Sequence, residues 1–180
     1  MTVLGTFLSS VWFILPAYAA NMTPVVAGGG RPIDGGRKFV DGKPLLGPGK
    51  TVRGFCWGLL VGFCVGLVQA LLHSPLETHL TLLFGSPLET VLGGLLLSLG
   101  AMVGDLAGSF FKRRAGVERG EPFPLLDQLD FVIGALLLSL PLVLPRLTWE
   151  ILAILFLLTP PLHLLTNYAG YRMGLKDRPY

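Results

Sequence analysis

The sequence predicts an all-α integral membrane protein with five transmembrane helices and a polar cavity that faces the cytosol. Two observations lead to this fold class. First, 52% of the 180 residues are hydrophobic, only 14% are charged, and the mean hydropathy is +0.66. Second, the charged residues gather in short stretches between long segments that carry almost no charge. Such segments are long enough to cross a bilayer, because a helix needs about 20 apolar residues to span the hydrocarbon core.

We predict a single transmembrane catalytic domain over residues 1–180, because five spans leave no room for a separate soluble domain. Any chemistry must then be built from helices and short loops. The first span contains Ala17-Tyr18-Ala19, which resembles a signal-peptide cleavage site, but no Lys or Arg precedes Arg31, so we keep it as a span. The predicted spans are about 2–20, 54–73, 88–110, 130–147 and 149–169, and the predicted cytosolic loops are 21–53 and 111–129.

The basic residues predict the orientation of the spans. Six of the 14 Lys and Arg residues lie between spans one and two, and four lie between spans three and four. Three more, Arg172, Lys176 and Arg178, follow span five. Because basic loops stay in the cytosol, the N-terminus is expected outside and the C-terminus inside. A cell-membrane location with the active site on the cytosolic side follows.

Glycines predict how spans two and three pack. A stripe of small residues lets two helix backbones approach closely. We expect this packing within one chain, and a homodimer that uses the stripe as its seam is the alternative. Span two has glycines at a spacing of four, and span three has a matching set: Gly54, Gly58, Gly62 and Gly66, then Gly100, Gly104 and Gly108.

Asp105 is the sharpest single candidate for a functional residue. It is the only charged residue between 90 and 111. An aspartate at a helix centre costs about 2.5–3.5 kcal/mol on insertion scales, so an unpaired structural role is unfavourable. The alternative is an interfacial carboxylate that pairs with Lys112 or Arg113. We predict that Asp105 is a metal ligand.

Asp127 and Asp130 form a second acidic feature at the start of span four. Their i, i+3 spacing places both carboxylates on one helix face. The structural alternative is that Asp127 is the N-cap and Asp130 completes a capping box. With Asp105 and several cations nearby, we predict that both aspartates also bind metal.

The cations near these aspartates suit phosphate, because Lys and Arg bind phosphate oxygens while carboxylates hold a divalent metal. Ser109 and Lys112 share a predicted face with Asp105. The alternative for the basic run is a flank that anchors the helix end. Lys50 lies in a Gly-rich loop and could contact phosphate, although Pro44 stands where a P-loop needs its first glycine. The basic residues after span three are the run Lys112, Arg113 and Arg114 and the nearby Arg119.

Nucleophilic catalysis by the protein is not expected. The sequence has no Ser-His-Asp, Cys-His or HExxH arrangement. His163 and Asn167, spaced i, i+4 on span five, are interpreted as residues that pack between helices through hydrogen bonds.

A series of motifs in fixed order makes the chain resemble the archaeal CDP-archaeol synthases, which are relatives of the CDP-diacylglycerol synthases. The resemblance covers nearly the whole chain, which is shorter than the bacterial relatives and has Phe123-Pro124 where they carry a His-Gly-Gly stretch. The motifs are Asn21-x-x-Pro24, Ile33-Asp34, Gly42-Lys43-Pro44-Leu45-Leu46-Gly47, Lys50-Thr51-x-x-Gly54, Gly104-Asp105, Ser109-x-x-Lys112-Arg113, Asp127-x-x-Asp130, His163 and Asn167.

The resemblance implies a membrane cytidylyltransferase. Its reaction transfers CMP from CTP to 2,3-bis-O-(geranylgeranyl)-sn-glycerol 1-phosphate, giving a CDP-archaeol-type lipid and pyrophosphate. The implied partners are CTP, an isoprenoid ether-lipid phosphate and the bilayer, and no nucleic acid is expected. The alternatives are a CTP-dependent polyprenol kinase, which would transfer the γ-phosphoryl group, and a small membrane transporter or scaffold.

The resemblance also implies roles for individual residues. Mg²⁺ is expected on Asp105, Asp127 and Asp130, either alone or together with a second cation. Lys112 is expected to act in catalysis. The expected substrate-binding residues are Lys50, Ser109 and Arg113 for phosphates, with Asn21, Pro24, Lys43 and Thr51 shaping the nucleotide pocket.

Overall fold

The fold was obtained as a computed structural model, which describes residues 2–118 and 120–176. Five helices are long and apolar enough to cross a membrane, which confirms the predicted all-α fold. No strand occurs within these residues, and a short helix follows the second span. The predicted Arg119 and Arg178 lie outside the described residues. The helices are α1 Val3–Ala27, α2 Val52–Leu71, α3 His73–Leu76, α4 Pro87–Arg114, α5 Leu126–Val143 and α6 Trp149–Arg172.

All five spans extend further at the basic end than the sequence predicts: α2 begins at Val52, α5 begins at Leu126 and α6 ends at Arg172. Helix α1 continues from residue 20 to Ala27 and therefore includes Asn21 and Pro24, which we had placed in a loop. Helix α4 continues to Arg114, so the whole basic run is helical. Glycines end both helices: Gly29 follows α1 with φ +93°, and Gly116 follows α4 with φ +81°. A left-handed backbone favours glycine, so the glycines that follow Ala27 mark the end of α1.

Polar caps set where four of the spans begin, and Thr2 is the cap of α1. Thr51 Oγ1 accepts a hydrogen bond from Gly54 N at 3.1 Å, and Ser86 and Thr148 cap α4 and α6 in the same way. Each cap satisfies a backbone donor that the first helical turn leaves without a partner. Helix α6 continues through Pro160 and Pro161, which have no backbone N–H to donate to the helical ladder.

The glycine stripe of α2 is buried inside the chain. A Cβ added at Gly66 would lie 2.7 Å from Gly94 Cα, so the backbones of α2 and α4 touch there. At Gly58 an added Cβ would lie 2.6 Å from Met102 Sδ and 2.7 Å from Ala20 O. The stripe therefore packs α2 against α1 and α4, as predicted, and it is not available as a seam between copies.

The second glycine set packs against a different helix from the one we expected. Gly100 and Gly104 face the α5 backbone around Gly134, and Gly108 faces the Asp130 side chain. Helix α4 thus uses one stripe for α2 and another for α5. The core lies between α1, α4 and α5, while α6 contacts only α1 and α5 among the described helices.

Candidate active site at the charged end of the bundle

A buried aspartate organises the loop between α1 and α2. Asp34 is only 6% exposed, and its carboxylate accepts backbone hydrogen bonds from Gly36, Leu46 and Gly47 at 2.9–3.0 Å. Burial would raise the pKa of Asp34, but the three backbone donors outweigh burial and hold its pKa below the usual value. Asp34 therefore fixes the loop from within.

The same loop places Lys50 directly before α2. Ile33 N donates to Lys50 O at 2.8 Å, and Val52 N donates to Arg31 O at 3.0 Å. These two bonds hold the chain on either side of Thr51, whose side chain caps α2. The backbone of Lys50 is thus held by the loop on one side and by a helix start on the other.

Lys50 forms an ion pair with Asp105. Its Nζ lies 2.7 Å from both carboxylate oxygens, and the two side chains are 28% and 22% exposed. Burial would lower the pKa of Lys50, but the negative charges of Asp105, Asp130 and Asp127 outweigh it and raise that pKa. The structure therefore pairs Asp105 with Lys50, and not with Lys112 or Arg113 as the structural alternative supposed.

Lys112 forms a second ion pair, with Asp127. Its Nζ lies 2.7 Å from both oxygens of that carboxylate and donates to Glu121 O at 2.9 Å. Asp127 also accepts from Phe123 N at 2.8 Å. Asp127 is not the N-cap, since α5 begins after Leu125, whose φ of +67° turns the chain into the helix. This corrects the structural alternative for Asp127, because its carboxylate binds a side chain and the incoming loop.

Asp130 lies where α4 and α5 cross. The absence of a side chain at Gly108 makes room for its carboxylate. Its Oδ1 accepts from Phe131 N at 2.6 Å, and it lies within electrostatic range of Asp105, Lys50 and Asp127. The three predicted aspartates therefore meet at one end of the bundle. We call Lys50, Asp105, Lys112, Asp127 and Asp130 the charged cluster.

The other predicted site residues surround the charged cluster. Ser109 is 7% exposed on α4. Arg113 donates to Val117 O at 2.5 Å, while its buried Nε, beside Gly47, has no hydrogen-bond partner among the described residues. That Nε is the kind of donor that a phosphate oxygen could satisfy.

Lys43 and Arg114 fasten the loop to the end of α4. Lys43 Nζ donates to Arg114 O at 3.0 Å, and Arg114 Nε lies 2.9 Å from Asp41 Oδ2. The Arg114 guanidinium also stacks on the rings of Phe39 and Phe110, 4.9 and 4.8 Å from their centroids. Arg114 thus has a structural role, and Lys43 contacts the protein backbone in this arrangement.

Asn21 and Pro24 lie on the last turns of α1, beside the start of α2. Pro24 Cβ is 3.2 Å from where a Cβ at Gly54 would be, which brings the Asn21-x-x-Pro24 motif next to the Thr51 cap. No contact of Asn21 with the charged cluster is seen in the part of the chain that the structure describes. Their predicted role in the nucleotide pocket stays a prediction.

Two residues near the charged cluster carried no site role in the sequence analysis. His163 contacts Asn167 at 3.3 Å, its ring lies 6.2 Å from that of Phe131, and it is within electrostatic range of Asp105 and Asp127. Lys176, which we had used only for topology, is within electrostatic range of Asp127. The glycine after α6 was the available signal for Lys176, since it predicts a turn back toward the bundle.

The donor set suits a hard divalent cation. Carboxylate oxygens are the ligands that Mg²⁺ prefers, and the Lys50 ammonium already places a positive charge near three carboxylates. In the described residues no three His, Cys, Asp or Glu side chains are grouped closely enough to form a ready-made metal site. Asp105 and Asp127 each bind a lysine instead, so a metal would have to replace an ammonium.

Comparisons with known proteins agree with this architecture. The family model CarS-like: CDP-archaeol synthase matches residues 3–180. The CDP-archaeol synthase of Methanocaldococcus jannaschii is 47% identical over 94% of both chains, and that of Thermococcus kodakarensis is 46% identical over 98% of both. A solved structure of an intramembrane enzyme for archaeal membrane lipids biosynthesis superposes with a TM-score of 0.77 at 41% identity, covering 89% of this chain and 94% of the other. The chain therefore belongs to the CDP-archaeol synthase family, as its ordered motifs predicted.

Proposed function

We propose that this protein is a membrane cytidylyltransferase that joins CMP from CTP to 2,3-bis-O-(geranylgeranyl)-sn-glycerol 1-phosphate. The observation that carries the proposal is the charged cluster, in which two lysines each hold both oxygens of an aspartate at one end of a membrane bundle. Family membership supports the same reaction. The products are a CDP-archaeol-type lipid and pyrophosphate.

The reaction needs no nucleophile from the protein. An oxygen of the lipid phosphate attacks the α-phosphorus of CTP and forms the new P–O bond. The bond from that phosphorus to the oxygen bridging the β-phosphate breaks, and pyrophosphate leaves with the electron pair. Positioning and charge neutralisation are the main contributions that a protein makes to such a displacement. The lysines and the half-buried Arg113 near the aspartates would supply them.

Lys50 and Lys112 would exchange partners when substrates bind. Each ammonium is neutralised by a carboxylate at 2.7 Å. Phosphate oxygens would take over these ammonium groups, leaving Asp105, Asp127 and Asp130 to hold Mg²⁺, either alone or together with a second cation. When bound, the metal would neutralise charge on the nucleotide phosphates.

The remaining predicted residues would complete the substrate site. Arg113 has a donor to spare, and Ser109 offers a hydroxyl on the same helix, so both are placed for phosphate. Thr51 and Lys43 would border the nucleotide from the loop. Asn21 and Pro24 would border it from α1.

An apolar groove between α5 and α6 would accommodate an isoprenoid chain. The groove has a volume of about 230 Å³ and is lined by apolar side chains of both helices, among them Ile133, Leu137 and Phe156. Ile133 follows Asp130 by three residues, so the groove begins about one helical turn from the charged cluster. A lipid phosphate at that cluster could therefore extend its chains into the groove.

The charged cluster would face the cytosol, where CTP is found. The basic residues of the first loop and of the α4 end lie at this end of the bundle, and basic loops remain on the cytosolic side. The cell membrane is the expected location, as for a membrane-lipid synthase.

A labelling experiment distinguishes the proposed activity from its nearest rival. Purified protein in archaeal ether-lipid vesicles would receive Mg²⁺, the lipid phosphate and CTP radiolabelled at either the α- or the γ-phosphate. Cytidylyl transfer moves the α-label into the lipid fraction and releases pyrophosphate. Offered a polyprenol, a polyprenol kinase would instead move the γ-label. Absence of α-label from the lipid would refute the proposal.

Aspartate variants test the proposed metal ligands. Asp105→Asn, Asp127→Asn and Asp130→Asn should each lower kcat/KM by roughly 100-fold or more, as removal of a group that stabilises transition-state charge does. Titration calorimetry should show weaker Mg²⁺ binding in the same variants. Glu77→Gln changes an exposed carboxylate at the opposite end and serves as the control. Unchanged Mg²⁺ binding in all three aspartate variants would remove the metal assignment.

A further inference from the structure

The chain reverses direction where α6 ends. Gly174 has φ +72°, its N–H donates to Tyr171 O at 3.0 Å, and Leu175 N donates to Gly170 O at 2.9 Å. This pair of bonds is a Schellman motif with Gly174 at the left-handed position. The motif ends the helix and directs Lys176 back along the bundle.

The Lys176 side chain returns to the junction of α1 and α6. Its Cγ and Cδ lie 3.6 Å from where a Cβ at Gly170 would be, and Val25 of α1 lies 3.9 Å from the same point. These are ordinary van der Waals distances, so the lysine stem packs directly over Gly170. The aliphatic part of the side chain is thus packed between two helices, and the residue is half-buried.

The Lys176 ammonium lies close enough to the charged cluster to interact with it. It is within electrostatic range of Lys50, Asp127 and Lys112. Burial, followed by the positive charge of Lys50, lowers the pKa of Lys176, while Asp127 raises it. The charged cluster holds three carboxylates and two ammonium groups, so the Lys176 ammonium offsets its excess negative charge, and a phosphate that enters the cluster would meet this ammonium beside Lys50 and Lys112.

Lys176 also approaches from a side that the other cations leave uncovered. Lys50 comes from the loop before α2, and Lys112 comes from the end of α4. Lys176 comes from the end of α6, the helix that forms one wall of the apolar groove. Cations from three separate elements therefore surround the aspartates, an arrangement that suits a ligand with several phosphate oxygens.

We infer that Lys176 binds a phosphate oxygen of a substrate at the charged cluster. The inference rests on the proposed cytidylyltransferase function. The same chemistry is present in the CTP triphosphate and in the lipid phosphate, so the two substrates are tested separately.

The test compares Lys176→Met, Lys176→Arg and Arg172→Gln. Met keeps the aliphatic stem that packs on Gly170, and Arg keeps the charge. Arg172→Gln removes an exposed cation from the same helix end and controls for general surface charge. Loss of a hydrogen bond to a charged group predicts an increase of about 10-fold or more in one KM of Lys176→Met. Lys176→Arg should recover most of the loss, and Arg172→Gln should match the native protein.

The two KM values and one binding measurement decide the outcome. An increase in the KM for CTP, with weaker calorimetric binding of inorganic triphosphate, assigns Lys176 to the nucleotide. An increase only in the KM for the lipid phosphate, with unchanged triphosphate binding, assigns it to the lipid. Native values for both KM and for triphosphate binding would overturn the inference. Failure of the native protein to transfer the α-label would refute the proposed function instead, and triphosphate binding would still test Lys176.

Discussion

Gly108→Ala tests whether the closeness of α4 and α5 positions the Asp130 carboxylate. The added Cβ would lie 2.8 Å from Asp130 Cγ and 2.9 Å from its Cβ, and it would overlap Oδ2. The clash can be relieved only if the carboxylate rotates away or α5 moves outward. Either response displaces Asp130 from its neighbours in the charged cluster.

The size of the effect follows from two opposing contributions. Overpacking of a close contact costs about 1–3 kcal/mol, and replacing a mid-helix glycine by alanine returns up to about 1 kcal/mol. The net loss of stability is therefore about 0–2 kcal/mol. Activity should fall further, by about 100-fold in kcat/KM, because a displacement of about 1 Å in a positioned group has that cost.

Gly66→Ala is the matched control, because it overpacks a helix contact far from the charged cluster. Its added Cβ would lie 2.7 Å from Gly94 Cα, where α2 and α4 touch. Thermal unfolding should show a similar loss of stability in both variants. Formation of the CDP-lipid per folded molecule should fall only in Gly108→Ala. Equal kcat/KM in Gly108→Ala and the native protein would refute the reasoning.

Two further predictions concern the loop. Asp34→Asn leaves a single acceptor oxygen in place of a carboxylate that accepts three hydrogen bonds from backbone N–H groups. Because the pKa of Asp34 is lowered in the folded protein, its contribution is present above the unfolded value of ~3.9 and is lost as the pH falls through the folded value. Native protein should therefore lose melting temperature between pH 6 and pH 3 more steeply than Asp34→Asn, and equal slopes would contradict the role given to Asp34. Thr51→Ala should lower the free energy of unfolding by about 1 kcal/mol because it removes the α2 cap, whereas Thr51→Ser should be close to the native protein. Equal melting temperatures for the Ala and Ser variants would show that the cap does not contribute.

The sequence predicted the spans well because hydropathy and charge placement act over whole segments. It missed the extension of α1 because Asn21 and Pro24 are compatible with both a loop and a helix end. The boundary depended on Gly29, which requires a left-handed backbone. Local composition alone could not give more weight to that glycine than to Gly35 or Gly36.

The sequence also predicted which aspartates would gather, but not their partners. Lys50 and Asp105 are 55 residues apart, and nothing in their local patterns identifies each as the partner of the other. Asp34 appeared only as part of an ordered motif, and its burial under three backbone donors depends on how the loop folds. Lys176 follows a helix end, where a basic residue is expected for topology alone. Tertiary contacts distinguish these residues from ordinary flanking charges.

The two ion pairs have a consequence for how the chain is made. In both pairs the lysine precedes its aspartate in the sequence: Lys50 comes before Asp105, and Lys112 comes before Asp127. Because a chain is synthesised from its N-terminus, each ammonium is available before the carboxylate that it neutralises enters the membrane. Neither aspartate must therefore wait for a later segment before its charge is compensated. The order of residues would thus allow each acidic helix to be neutralised during insertion, when an isolated charge is most costly.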